Sequence, residues 1–205
     1  MIRPKKIFLL ALLLPFVALA AWLAYHETRV PQNEKEALNR MIELQKQGRY
    51  EKAAQVMQTW MSDSRRDISH DGFMYEEIAI VYIARAYRKP RSRDESIRRA
   101  EENLQKALSF FDKQTQNDLS LDPFGIGEGY ETLADVSDQD KCRLYEKARA
   151  LFVRQLPMIK EDSYTAYGHT TQLEPVRRDV KKHLSAVNVK SSKAGCQTHS
   201  DQRQV

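Results

Sequence analysis

Residues 50–53 and residues 145–148 both read YEKA, the first inside GRYEKAAQVMQTW (48–60) and the second inside RLYEKARALFVRQ (143–155). In each copy the alanine is followed four positions later by a large apolar residue, Met57 or Phe152. On a helix, positions three and four apart share a face, so each copy predicts an amphipathic helix with its small residue and its large residue side by side.

Working outward from the first copy, Ala53, Val56, Met57, Trp60 and Met61 extend that stripe. Ahead of it, Ala37, Leu38, Met41, Ile42 and Leu44 form another, opened by Asn33 with Glu34 and Glu36 in its first turn, where carboxylates suit the helix dipole. Gly48 separates the two stripes by too little chain for anything but an antiparallel hairpin. A second unit follows. Tyr75, Ile78, Ala79, Tyr82 and Ala86 line its first helix, which Ile80 and Ile83 widen, and Pro90 ends it. Ser92 or Asp94 then caps a helix with Ile97, Ala100, Leu104, Ala107, Leu108 and Phe111 in register.

A third unit surrounds the second YEKA. Its first helix is read as GYETLADVS, entered through a flexible FGIGEG segment, and carries Tyr130, Leu133, Ala134 and Val136. After the polar break SDQDK come Leu144, Ala148, Leu151, Phe152 and Leu156, with Pro157 near the end. A short amphipathic helix near Leu173 to Val187 is expected to cover the last hairpin, and residues 188–205 read as a disordered tail. With 7 Gly, 7 Pro and 41% hydrophobic residues, and no sustained alternation of β-branched residues, the fold class is all-α.

Before this lies IFLLALLLPFVALAAWLAY (7–25), uncharged throughout and preceded by Arg3, Lys5 and Lys6. At about 1.5 Å per residue such a run spans a bilayer's hydrocarbon core, so residues 1–25 predict a transmembrane anchor. A signal peptide cleaved near Ala20, after Ala18-Leu19-Ala20, is the alternative. The basic tip keeps the N-terminus cytosolic under either reading, which places residues 26–205 on the far side, the periplasm in a Gram-negative cell. The domain division is therefore an anchor or signal at 1–25, a linker at 26–33, a helical domain at 34–160, an extension with a capping helix at 161–187, and the tail.

Two cysteines would then occupy an oxidising compartment. Cys142 reads as a small core residue on a helix and Cys196 as part of the polar tail, with a disulfide between them as the alternative.

The net charge of +5 is local. It collects in the N-terminal tip, in residues 84–99 and after residue 163, while 100–162 is acidic. No basic stripe with interleaved aromatics follows a folded face, so nucleic acid is not an expected partner. The basic 85–99 segment, with seven Lys or Arg, offers contact with anionic headgroups, against the plainer reading of a solvated loop.

Laid over one another, the stripes resemble tetratricopeptide repeats, helical hairpins of about 34 residues. Tyr75, Ile78, Ala79 and Tyr82 match the family's first helix; Gly48, Tyr50, Ala53, Met57 and Trp60 match the turn and second helix. Ala53-Met57-Trp60, Ala100-Leu104-Ala107 and Ala148-Phe152-Gln155 share one spacing. Departures are Arg40 at an aliphatic position, a long interval from Tyr82 to Ala100, Ser137 for an aromatic, Gln155 for a small residue, and no closing prolines. The resemblance implies about three hairpins in a short right-handed solenoid and a concave groove for a protein partner. By the family's geometry Leu38, Ile42, Gln45, Phe73, Glu76, Ile80, Ile83, Glu131 and Asp135 face that groove. The family's clamp for a terminal carboxylate is missing, since Leu38, Ile42, Glu77 and Glu128 stand at those sites; a basic or amphipathic segment fits better. A bare helical bundle, or an accessory subunit without a groove ligand, is the competing reading, with Ile80 and Ile83 buried against the C-terminal helix.

No catalytic constellation stands out. The glycines at 125, 127 and 129 lack the preceding strand of a phosphate loop, the five histidines are scattered, and the paired glutamates sit on amphipathic helices. No enzyme activity, cofactor, metal or small-molecule substrate is expected.

Overall fold

The computed structural model describes residues 29–66, 68–114, 123–159, 163–166 and 169–196. Seven α-helices lie among them: α1 Glu34–Lys46, α2 Tyr50–Met61, α3 Asp71–Arg88, α4 Arg93–Gln114, α5 Pro123–Val136, α6 Lys141–Gln155 and α7 Leu173–Lys193. The apolar run at 7–25 lies outside the described residues, and no described helix is long and apolar enough to cross a membrane. The chain is all-α but for one addition between α6 and α7, a hairpin of β1 (Ser163–Ala166) and β2 (His169–Gln172), paired antiparallel with Ser163 opposite Gln172.

Local chemistry fixes the first hairpin. Asn33 caps α1 by accepting the amide of Glu36 at 2.9 Å, and the chain leaves α1 through Gly48 at φ +75°. Gly48 donates to the carbonyl of Gln45 and Arg49 to that of Leu44, a glycine-ended stop that a side chain at residue 48 would strain. Each helix then packs on its predecessor from α1 through α7, and α3 also meets α5.

The shared spacing of the second helices is a packing fact. Ala53, Met57, Ala100, Leu104, Ala107, Ala148 and Phe152 are sealed from solvent, and Trp60 and Gln155 nearly so. Each wholly buried large side chain contributes about 1.5–3 kcal/mol. Both tyrosines of the YEKA copies are buried, but only Tyr50 opens its helix, whereas Tyr145 lies one turn inside α6.

Three expectations require correction. The glycine segment is helix, not a flexible entry, because α5 starts at Pro123 and its glycines admit close neighbours. A Cβ on Gly127 would lie 2.6 Å from the Phe152 ring, one on Gly129 2.8 Å from Leu104, and one on Gly125 would collide with the Glu76 carboxylate. Tertiary contact outweighs the poor helix propensity of glycine.

The C-terminal helix is likewise longer than expected and continues to Lys193, through residues assigned to the tail. It ends at Gly195, φ +73°, where Gly195 donates to Ser192 and Cys196 to Ser191. This turn delivers Cys196 to Cys142, and the two form a disulfide with Cα atoms 5.3 Å apart. Cys142 is therefore no core residue; it sits one step off the buried Leu144–Ala148–Leu151 stripe, on the exposed side.

Candidate functional site

Helix α3 is apolar on two sides. Met74, Ile78, Val81, Tyr82 and Ala86 are buried in the body of the protein. The outer side carries Phe73, Glu77, Ile80, Ala84 and Tyr87, a 4-3-4-3 spacing that lines up one straight seam. Phe73, Ile80 and Tyr87 remain 42%, 40% and 52% exposed. On α1, Ile42 is equally open, while Leu38 and Gln45 are half-buried. Ile83 points inward and is only 8% exposed. The alternative in which α7 buries both isoleucines thus does not describe Ile80.

Glu77 interrupts this seam with a carboxylate whose helical neighbours are apolar. Burial pushes it above the usual carboxylate range, and among the described residues it has no ion-pair or hydrogen-bond partner. Glu76, one residue earlier, lies instead against Gly125 in the first turn of α5, where the helix dipole favours an anion.

At the acidic end of the expected groove Glu131 is buried, while Glu128 and Asp135 keep some exposure. Glu128, Glu131 and Asp135 form a stripe on α5, and α7 lays His183, Val187 and Lys190 across it at matching spacing. His183 places Nδ1 2.7 Å from Glu131 and Nε2 2.9 Å from Glu128. Lys190 donates to Glu131 and to Asp135, both at 2.7 Å. Burial opposes the charge on Lys190, but its hydrogen bonds to Asp135 and Glu131 prevail and raise its pKa. Burial holds Glu128 above its ordinary range against the pull of His183. The His183 ring also meets Phe124 edge-on, at 5.5 Å between centroids, and Phe152 at 5.7 Å. Asp135 further accepts a 2.6 Å hydrogen bond from Tyr145, the tyrosine of the second YEKA copy. Glu131 is 6% exposed in this arrangement, so it binds the chain's own C-terminal helix and not an open groove.

The two stripes adjoin. Tyr87, at the end of the α3 seam, has its pKa raised by burial and by Asp135, with Lys190 opposing.

Four of the seven basic residues in the 85–99 segment are paired within the protein. Arg85 pairs with Glu51, Arg93 with Asp138, Arg98 with Glu95 and Glu102, and Arg99 with Glu95 and Glu51. Arg99 also donates to the Tyr82 hydroxyl at 3.0 Å and lies over its ring, tying α4 to α3. These pairs make the segment a clamp between helices, while Arg88, Lys89 and Arg91 stay exposed outside them.

Sequence reasoning passed over Tyr87, Ala84, His183 and Lys190. The seam spacing through Tyr87 was readable within YEEIAIVYIARAY, but the pairing of α7 with α5 joins residues more than fifty positions apart and had no local signal. Among the described residues no group of His, Cys, Asp or Glu side chains could hold a metal ion. Compared with protein-family models, curated proteins and solved structures, the chain matches none.

Proposed function

We propose that this chain is a membrane-tethered, tetratricopeptide-like interaction module, held by residues 1–25 and projecting its helical domain away from the cytosol to bind a protein partner. The carrying observation is the open seam on α3, where Phe73, Ile80 and Tyr87 stand exposed, as does Ile42 on α1. Exposed large apolar residues that share one helix face support an interaction surface. Sequential packing of the helices, with α3 against α5, supports a stacked-hairpin arrangement in the sense of the repeat family. The Cys142–Cys196 bond supports an oxidising compartment, whether the leader stays as an anchor or is cleaved. The reading assigns no catalysis, cofactor or nucleic acid.

A second reading has its own support. Because α7 takes up Glu131, which the repeat geometry would leave to a groove ligand, the acidic end is occupied from within, which favours an accessory subunit whose α3 packs on a neighbouring protein. One experiment serves both. A photo-crosslinking residue at position 80 of the full chain, in cells, is expected to trap another protein, whereas one at Val153, exposed on α6, is not. The Phe73→Asp change should abolish the product from position 80. Equal trapping from both positions, or none from either, refutes the reading.

A further inference from the structure

We infer that the partner presents an amphipathic α-helix whose apolar seam meets Phe73, Ile80 and Tyr87 and carries one lysine or arginine that pairs with Glu77. This deepens the reading of the α3 face and rests on it. Three observations carry it. The residues at 73, 77, 80, 84 and 87 repeat at the interval on which two helices mesh, an interval an extended peptide does not match. Glu77 lies between Phe73 and Ile80 in that seam, partly withdrawn from water and without a cation among the described residues, so an incoming cation gains a partner whose desolvation is already partly met. The molecule also shows this mode of docking next door. Its own α7 meets α5 with a histidine, a valine and a lysine at 183, 187 and 190, the histidine and lysine answering carboxylates at 128, 131 and 135. The α3 seam has the inverse character, apolar with one acid between Phe73 and Ile80, and calls for a helix with one base in its apolar seam.

Electrostatic complementarity of this kind selects partners more strongly than it adds affinity, so the test is one of discrimination. Two fluorescent helical peptides with the same leucine-alanine seam, differing only in Lys or Glu at the central position, are titrated by anisotropy against the full chain in lipid nanodiscs, with empty discs as the blank. The Lys peptide is expected to bind about tenfold more tightly or better. Glu77→Gln should erase the preference and Glu77→Lys should reverse it, while Ile80→Asp should weaken both peptides. Equal binding of the two peptides, or a preference unchanged in Glu77→Gln, overturns the helix-and-cation proposal. If Ile80→Asp still weakens binding in that event, the interaction face itself stands; if it does not, that reading fails too. A crosslink from position 80 to a second copy of this chain would show self-association at the seam and would also overturn the proposal.

Discussion

Removing the Cys142–Cys196 bond tests how α7 is held on the last hairpin. The two cysteines lie 54 positions apart. In the chain-entropy treatment a closed loop of that length restricts the unfolded chain by about 4 kcal/mol at 25 °C. With a urea dependence of about 2 kcal/mol per molar, loss of the bond should lower the unfolding midpoint by about 2 M. Pulse proteolysis of the full chain across a urea series reads this without interference from lipid or detergent. Cys142→Ser, Cys196→Ser and the double variant should fall by the same amount, because all three remove one bond, and reductant should bring the wild type to their level. Gly195→Val should reproduce part of the loss, since the φ of +73° that turns Cys196 toward its partner is strained for a β-branched residue. Midpoints that ignore reductant, or single variants that differ widely from the double, would refute the claim that this bond fixes α7.

Further outcomes follow from other contacts. Gly127→Ala drives a methyl group into the buried Phe152 ring and should destabilise by about 1–3 kcal/mol in the same urea assay. A double-mutant cycle on Glu131→Leu and Lys190→Met should show coupling of about 1–3 kcal/mol, whereas an uncovered α5 stripe would give none. Hydrogen bonding from Arg143, joined by Lys147, holds Glu101 down to about 2 from 4.5. A depressed folded-state pKa stabilises fully above the unfolded value, so this contribution persists above about pH 4.5 and is lost as the pH falls toward about 2. Urea midpoints should decline through that window in the wild type and less steeply in Glu101→Gln.

Most of the helical framework could be read from spacing because buried positions repeat locally. Ala53-Met57-Trp60 and its two counterparts needed only the helical period, and Asn33 and Gly48 announced the bounds of the first hairpin through ordinary capping chemistry. What escaped was set by distant neighbours. Gly125 and Gly127 read as loop by propensity yet lie in helix, where Glu76 and Phe152 pack close against the backbone. The end of α7 did carry a sign, Lys190 and Lys193 followed by Gly195, a common helix stop, which the polar composition of the tail obscured. The groove residues divided for a similar reason. Phe73, Ile80 and Ile42 stand open, whereas Glu131 and Asp135 face α7, whose reach depends on a bond between positions 142 and 196.

The account turns on the α3 seam being the surface on which a partner helix lies. Hydrogen-exchange mass spectrometry of the full chain in nanodiscs, with and without the Lys peptide, locates that contact directly. The expected result is added protection in α3 from Phe73 to Tyr87 and at Ile42 of α1, with α7 and the 163–172 hairpin unchanged. Protection confined to α7, or none on α3 at saturating peptide, would contradict it.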